Sequence, residues 1–165
     1  MRVEVVESLI KNDVGAKFTD PAVERALKNF LAALSSDDSL FVGESSAATI
    51  DGNPQHGTKT CRATLALEFR DDKQASSRSL HFSLMEKLSE LLKTAGSADS
   101  LSATLCLVPG SSDSKNGLAL WIGLEASGSS SEQAGLRWGL GLAHVQQALL
   151  FLSRYLRQQI AQSGD

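Results

Sequence analysis

Apolar and polar positions alternate along this chain with two distinct periods. Residues 61 to 70, Cys-Arg-Ala-Thr-Leu-Ala-Leu-Glu-Phe-Arg, are apolar at every odd position and mostly polar between, the period of a strand with one buried and one wetter face. Leu101 to Val108 and Leu118 to Ala126 predict two further strands, and Pro109 to Gly117 between them close an antiparallel hairpin. Leu40 to Val42 and Ala47 to Ile50 read as short strands, with Asp51-Gly52-Asn53-Pro54 as the turn after them. Residues 2 to 10, apolar at Val3, Val5, Val6, Leu9 and Ile10, fit a strand and a helical turn equally well. Residues 1–19 are therefore expected as a peripheral strand or an extension.

The longer period marks three helices. Thr19-Asp20-Pro21 puts a side-chain acceptor before a proline at the first helical position, ahead of Val23, Leu27, Phe30, Leu31 and Leu34, and predicts a helix over 21–35. Serines 76, 77 and 79 can cap a second helix that carries Leu80, Leu84, Leu88, Leu91 and Leu92 and ends near Gly96. Ser129 and Glu132 have capping-box spacing, and helical periodicity then runs to about residue 162, with Gly135, Gly139 and Gly141 weakening the first two turns.

Clustered hairpins and an alternating strand predict one α+β domain spanning 1–165. It has two layers, an antiparallel sheet of about five strands with helices mainly on one face, and a long C-terminal helix. The 165 residues, 42% of them hydrophobic, suffice to bury a core. Charge excludes one class of partner: 19 acidic and 16 basic residues are spread along the chain without the basic block that phosphate binding requires. No run approaches the ~20 apolar residues of a membrane span, and the first residues lack the pattern of a secretory signal. A cytoplasmic location, with neither nucleic acid nor membrane as partner, is the expectation.

Candidate chemistry is sparse. Cys61 and Cys106 lie in separate strands without metal-ligand spacing and are expected to be buried free thiols. His56, His81 and His144 have no partner at zinc spacing, although His56 lies in a polar loop. No serine is framed as a nucleophile. Catalytic, cofactor and metal residues are therefore not assigned.

Arg137-Trp138-Gly139-Leu140-Gly141-Leu142-Ala143 is a glycine pair at the start of a helix. It resembles the pyrophosphate loop of coenzyme A-dependent N-acetyltransferases at Gly139 and Gly141 and departs from it at Leu136, where that pattern has Gln or Arg. The resemblance covers about ten residues and implies an acyl-CoA-type transferase. The competing explanation is a small-residue stripe, Gly135, Gly139 and Ala143, that lets another element approach the helix closely. On a larger scale, the order helix, three strands, helix, two strands, helix from residue 20 onward is similar in order and size to the small acidic chaperones of type III secretion systems. That analogy carries over no functional residue.

The apolar breadth of the last helix weighs most. Trp138, Leu142, Val145, Leu149, Leu152 and Leu156 form a stripe wide enough to pack on the sheet. Ala148 to Leu152 then cover nearly the whole circumference, so Leu150 and Phe151 face either another helix of this chain or a partner. These residues predict a non-catalytic protein-binding domain, a chaperone, adaptor or assembly factor, with Leu150, Phe151, Trp138 and Tyr155 at a partner or homodimer interface. The alternatives are a small enzyme or ligand-binding domain using the loops at 51–59 and 109–117, and a structural subunit of a larger complex.

Overall fold

The computed structural model describes residues 1–5, 20–34, 39–45, 49–53, 57–94, 101–110 and 117–162. Ten elements follow one another: β1 (Arg2–Val5), α1 (Pro21–Leu34), β2 (Phe41–Ser45), β3 (Thr49–Asn53), β4 (Thr58–Phe69), α2 (Asp72–Ala75), α3 (Arg78–Thr94), β5 (Leu101–Pro109), β6 (Leu118–Gly128) and α4 (Ser131–Gln162). The α+β class and the order of elements from residue 20 are as expected, with α2 as an additional single turn.

The sheet has six strands in the order β1-β5-β6-β4-β2, with β3 also paired to β4. It is mixed and not purely antiparallel, because β1 runs parallel to β5, Arg2 opposite Ser102 and Val5 opposite Leu105. The alternating strand is interior to the sheet: β4 pairs antiparallel with β6 from Lys59–Gly128 to Glu68–Ala119. The other edge of β4 is shared, Leu65 to Phe69 with β2 and Thr58 to Arg62 with β3. Asp51, Gly52 and Asn53, expected as a turn, belong to β3 instead, since their pairing with Thr60, Lys59 and Thr58 outweighs local turn preference. The β5–β6 hairpin is antiparallel as expected, and the Gly110 amide donates to the Gly117 carbonyl at 2.8 Å to close its described end. A Cβ on Gly110 would stand 3.1 Å from the Gly117 carbonyl carbon, a close approach that favours glycine.

Helices cover one face. Cys61, Ala63, Leu65, Leu67 and Phe69 of β4 and Leu120, Ile122, Leu124 and Ala126 of β6 point into one core with Val23, Leu27 and Phe30 of α1, Leu84, Leu88 and Leu92 of α3, and the inner stripe of α4. Helix α4 lies over β6 and β4, with α1 and α3 packed along its two sides. Among the described residues no helix packs on the opposite sheet face. There Arg62 is ion-paired with Asp51 at 3.3 Å and Glu125 at 2.7 Å across neighbouring strands, and Cys106 is fully buried opposite Trp121.

The helix starts follow their sequence signals closely. Asp20 Oδ1 accepts from the Ala22 amide at 2.8 Å and caps α1. Ser77 Oγ accepts from Leu80 at 3.4 Å at the start of α3. At α4 the cap falls one residue later than the spacing of Ser129 and Glu132 suggests. Ser130 Oγ accepts from the Gln133 amide at 3.1 Å, and Gln133 Oε1 reaches back to the Ser129 amide at 2.7 Å.

Candidate functional site: the outer face of helix α4

The three glycines do not interrupt α4, which is helical from Ser131 onward. Packing offsets their low propensity. The Gly141 position lies against Leu101 and Leu124 of the sheet, and the Gly135 position against Val23 of α1. The string 137–143 is thus continuous helix whose amides serve the helix itself, and it forms no phosphate-cradling loop. The small-residue stripe is only partly used within the chain. Gly135 meets α1, whereas a Cβ on Gly139 would find nothing within 4 Å, and Ala143 is exposed.

Successive residues of an α-helix are about 100° apart, so α4 presents two opposed faces. Trp138, Leu142, Val145, Leu149, Leu152 and Leu156 are buried on the inner one. Trp138 is therefore a core residue and not an interface residue: it is fully buried, and its indole N–H donates to the Leu124 carbonyl at 3.1 Å. Its membership of the inward stripe already placed it there.

Leu136, Leu140, Leu150 and Phe151 lie on the outer face, with exposures of 65%, 62%, 49% and 61%. No other helix of the described chain covers Leu150 or Phe151. Leu136 and Leu140, which sequence reasoning did not assign to this face, extend it by nearly four turns. Their signal was present in the spacing: positions 136, 140, 143, 147 and 150 repeat the 4-3 pattern of the inner stripe on the opposite side. Tyr155 is 38% exposed and sits to one side, near Lys87 of α3. The Lys87 ammonium is held above its ordinary range first by its hydrogen bond to Glu90, with the charge of Glu90 next and smaller contributions from Glu86 and Tyr155.

The titratable candidates fall elsewhere. His81 is fully buried, with Nδ1 2.9 Å from the Ser77 carbonyl, Nε2 2.8 Å from the Leu118 carbonyl and Phe69 edge-on to the ring. It ties the start of α3 to the start of β6, a structural seat. His144 Nδ1 is buried and has no hydrogen-bond partner among the described residues. Both cysteines are free and buried as expected; burial, and then the nearby Asp20 carboxylate, push the Cys61 thiol up to about 12. His56, with the rest of 54–56 in the loop at 51–59, and residues 111–116 of the loop at 109–117 lie outside the described residues, and so does the end of the first helix beyond Leu34. Among the described residues no group of three His, Cys, Asp or Glu side chains could hold a metal ion, and no helix is long and apolar enough to cross a membrane.

Comparison with protein-family models, with curated proteins and with solved structures finds no match for this chain.

Proposed function

We propose that this chain is a non-catalytic protein-binding domain of the chaperone, adaptor or assembly-factor kind, acting through the outer face of α4. The observation that carries the reading is the set of four large apolar side chains, Leu136, Leu140, Leu150 and Phe151, about half or more exposed along one face of the longest helix. A helix that only closes a two-layer core needs a single apolar stripe, and α4 already has one on its inner side. Fully covering a Leu or Phe side chain is worth ~1.5–3 kcal/mol, so exposed residues of this type sharing one helix face favour association. A protein surface is their natural complement: an amphipathic helix laid along α4 buries them at helical spacing. The site is built on packed helix and not on loops, which presents it in a defined geometry. A cytoplasmic setting accords with the two free buried thiols, which need no oxidising compartment.

The test is affinity capture from the source cells with the wild-type chain and with Leu140→Glu and Phe151→Glu. Both variants are expected to keep their helical circular dichroism, because the altered side chains are exposed, and to lose the bound protein. Retention of the same protein by both folded variants would overturn the reading.

A further inference from the structure

We propose that the occupant of this face is a second copy of the chain, its α4 lying antiparallel to the first about a two-fold axis at the level of Val145. This inference rests on the docking role proposed for α4 and names its partner. Along the outer face the spacing 136, 140, 143, 147, 150, 154, 157 alternates 4, 3, 4, 3, 4, 3, the seam of a two-helix coiled coil. An isologous contact requires that seam to complement itself when reversed. Reversal about Val145 sets Leu140 against Leu150, Ala143 against Gln147, Leu136 against the aliphatic stem of Arg154, and Gln133 against Arg157.

Charge selects the antiparallel direction. Glu132, in the first turn of α4, and Arg154 and Arg157, near its end, are exposed and make no ion pair with any other described residue. Reversed pairing brings Glu132 of each copy beside the Arg157 of the other, twice by symmetry, and opposes the two helix dipoles. Parallel pairing would instead stack arginine on arginine. The flanking helices carry both signs outward, Glu24, Arg25 and Lys28 on α1 and Glu86, Lys87 and Glu90 on α3, so they do not oppose a second copy. Gly139, beside the seam with open space over its Cβ position, and the small Ala143 let the two backbones approach closely at the centre.

The experiment is sedimentation equilibrium of the 165-residue chain over a dilution series, with circular dichroism of each variant. The wild type is expected at twice the 17.6 kDa of one chain, and Leu140→Glu and Leu150→Glu as folded monomers. Glu132→Arg and Arg157→Glu should each weaken the dimer, by about tenfold for the two symmetry-related pairs together, and the double reversal should restore it. Two single losses without rescue would overturn the antiparallel register. A wild-type monomer whose capture of another protein is lost in Leu140→Glu would overturn self-pairing and leave the docking role standing. A dimer unaffected by Leu140→Glu and Leu150→Glu, with capture also unaffected, would overturn both.

Discussion

Gly139 and Gly141 lie two residues apart in the same helix, yet alanine should have opposite effects at the two positions. In an α-helix alanine is favoured over glycine by ~1 kcal/mol, through the backbone entropy of the unfolded chain and the exposure of the helical backbone, and that gain is common to both. At Gly139 the new methyl meets nothing within 4 Å, so the gain is expressed in full. At Gly141 it would stand 2.7 and 3.1 Å from the two methyls of Leu101 and 3.2 Å from a methyl of Leu124. Those leucines are 4% and 1% exposed, so they cannot retreat into solvent and must repack, at a cost of ~1–3 kcal/mol. Gly139→Ala should therefore stabilise by ~0.5–1 kcal/mol, and Gly141→Ala should be neutral to ~2 kcal/mol destabilising. Urea unfolding followed by tryptophan fluorescence measures both, and melting temperature should separate the pair by ~2–4 °C for each kcal/mol. The work is done at a dilution where the chain is monomeric, so that association does not enter the comparison. Destabilisation by Gly139→Ala would refute the open outer face, and an equal gain at both positions would refute the close packing of α4 on the sheet.

Cys61 should resist alkylation in the native protein, because a thiol held near 12 supplies almost no thiolate at neutral pH, and labelling should require denaturant. Its folded value lies above the ordinary value of 9.0, so the unfolded chain loses its proton first. The stability that Cys61 contributes is then complete below about pH 9 and is lost as pH rises towards 12, ~1 kcal/mol of it by pH 10. Cys61→Ala should lack that component of the alkaline slope, and identical slopes would contradict the assignment. Leu67→Ala, in the centre of the core, should cost ~2–5 kcal/mol, whereas Arg62→Ala on the opposite face of β4 should cost no more than ~1 kcal/mol even though two surface ion pairs are lost. Comparable losses in chemical denaturation would mean that both sheet faces are closed.

The legible parts of the fold were those whose signal is local. Alternation along β4, the Asp20-Pro21 start of α1 and the leucine spacing of α3 and α4 all appear where periodicity placed them. The hairpin of β5 and β6 follows from adjacent apolar runs joined by turn residues. Non-local pairing was not legible. The parallel docking of Arg2–Val5 on β5 joins residues a hundred positions apart, and four residues have no period strong enough to distinguish a strand from a turn. Asp51 to Asn53 have turn chemistry and form strand because β4 offers them partners. At the candidate site, the surplus at Leu150 and Phe151 could be read from five consecutive apolar residues. Leu136 and Leu140 are interleaved with Gly135, Gly139 and Gly141, whose low helix propensity obscures the outward period. Trp138 lies on the buried side of α4, where its position in the inward stripe puts it, and not at the interface.

The most direct test of the central claim compares everything bound to the wild-type chain, copies of itself included, with everything bound to Leu140→Glu. Differently tagged copies expressed together in the source cells and recovered through one tag allow self-association and other partners to be read in a single quantitative mass-spectrometric measurement. Lys73→Glu, on exposed α2 away from the face, serves as the charge control. Wild type and Lys73→Glu should recover the same associated protein, and Leu140→Glu, with an unchanged circular dichroism spectrum, should recover none of it. Equal recovery by all three folded proteins would contradict a docking role for the outer face of α4.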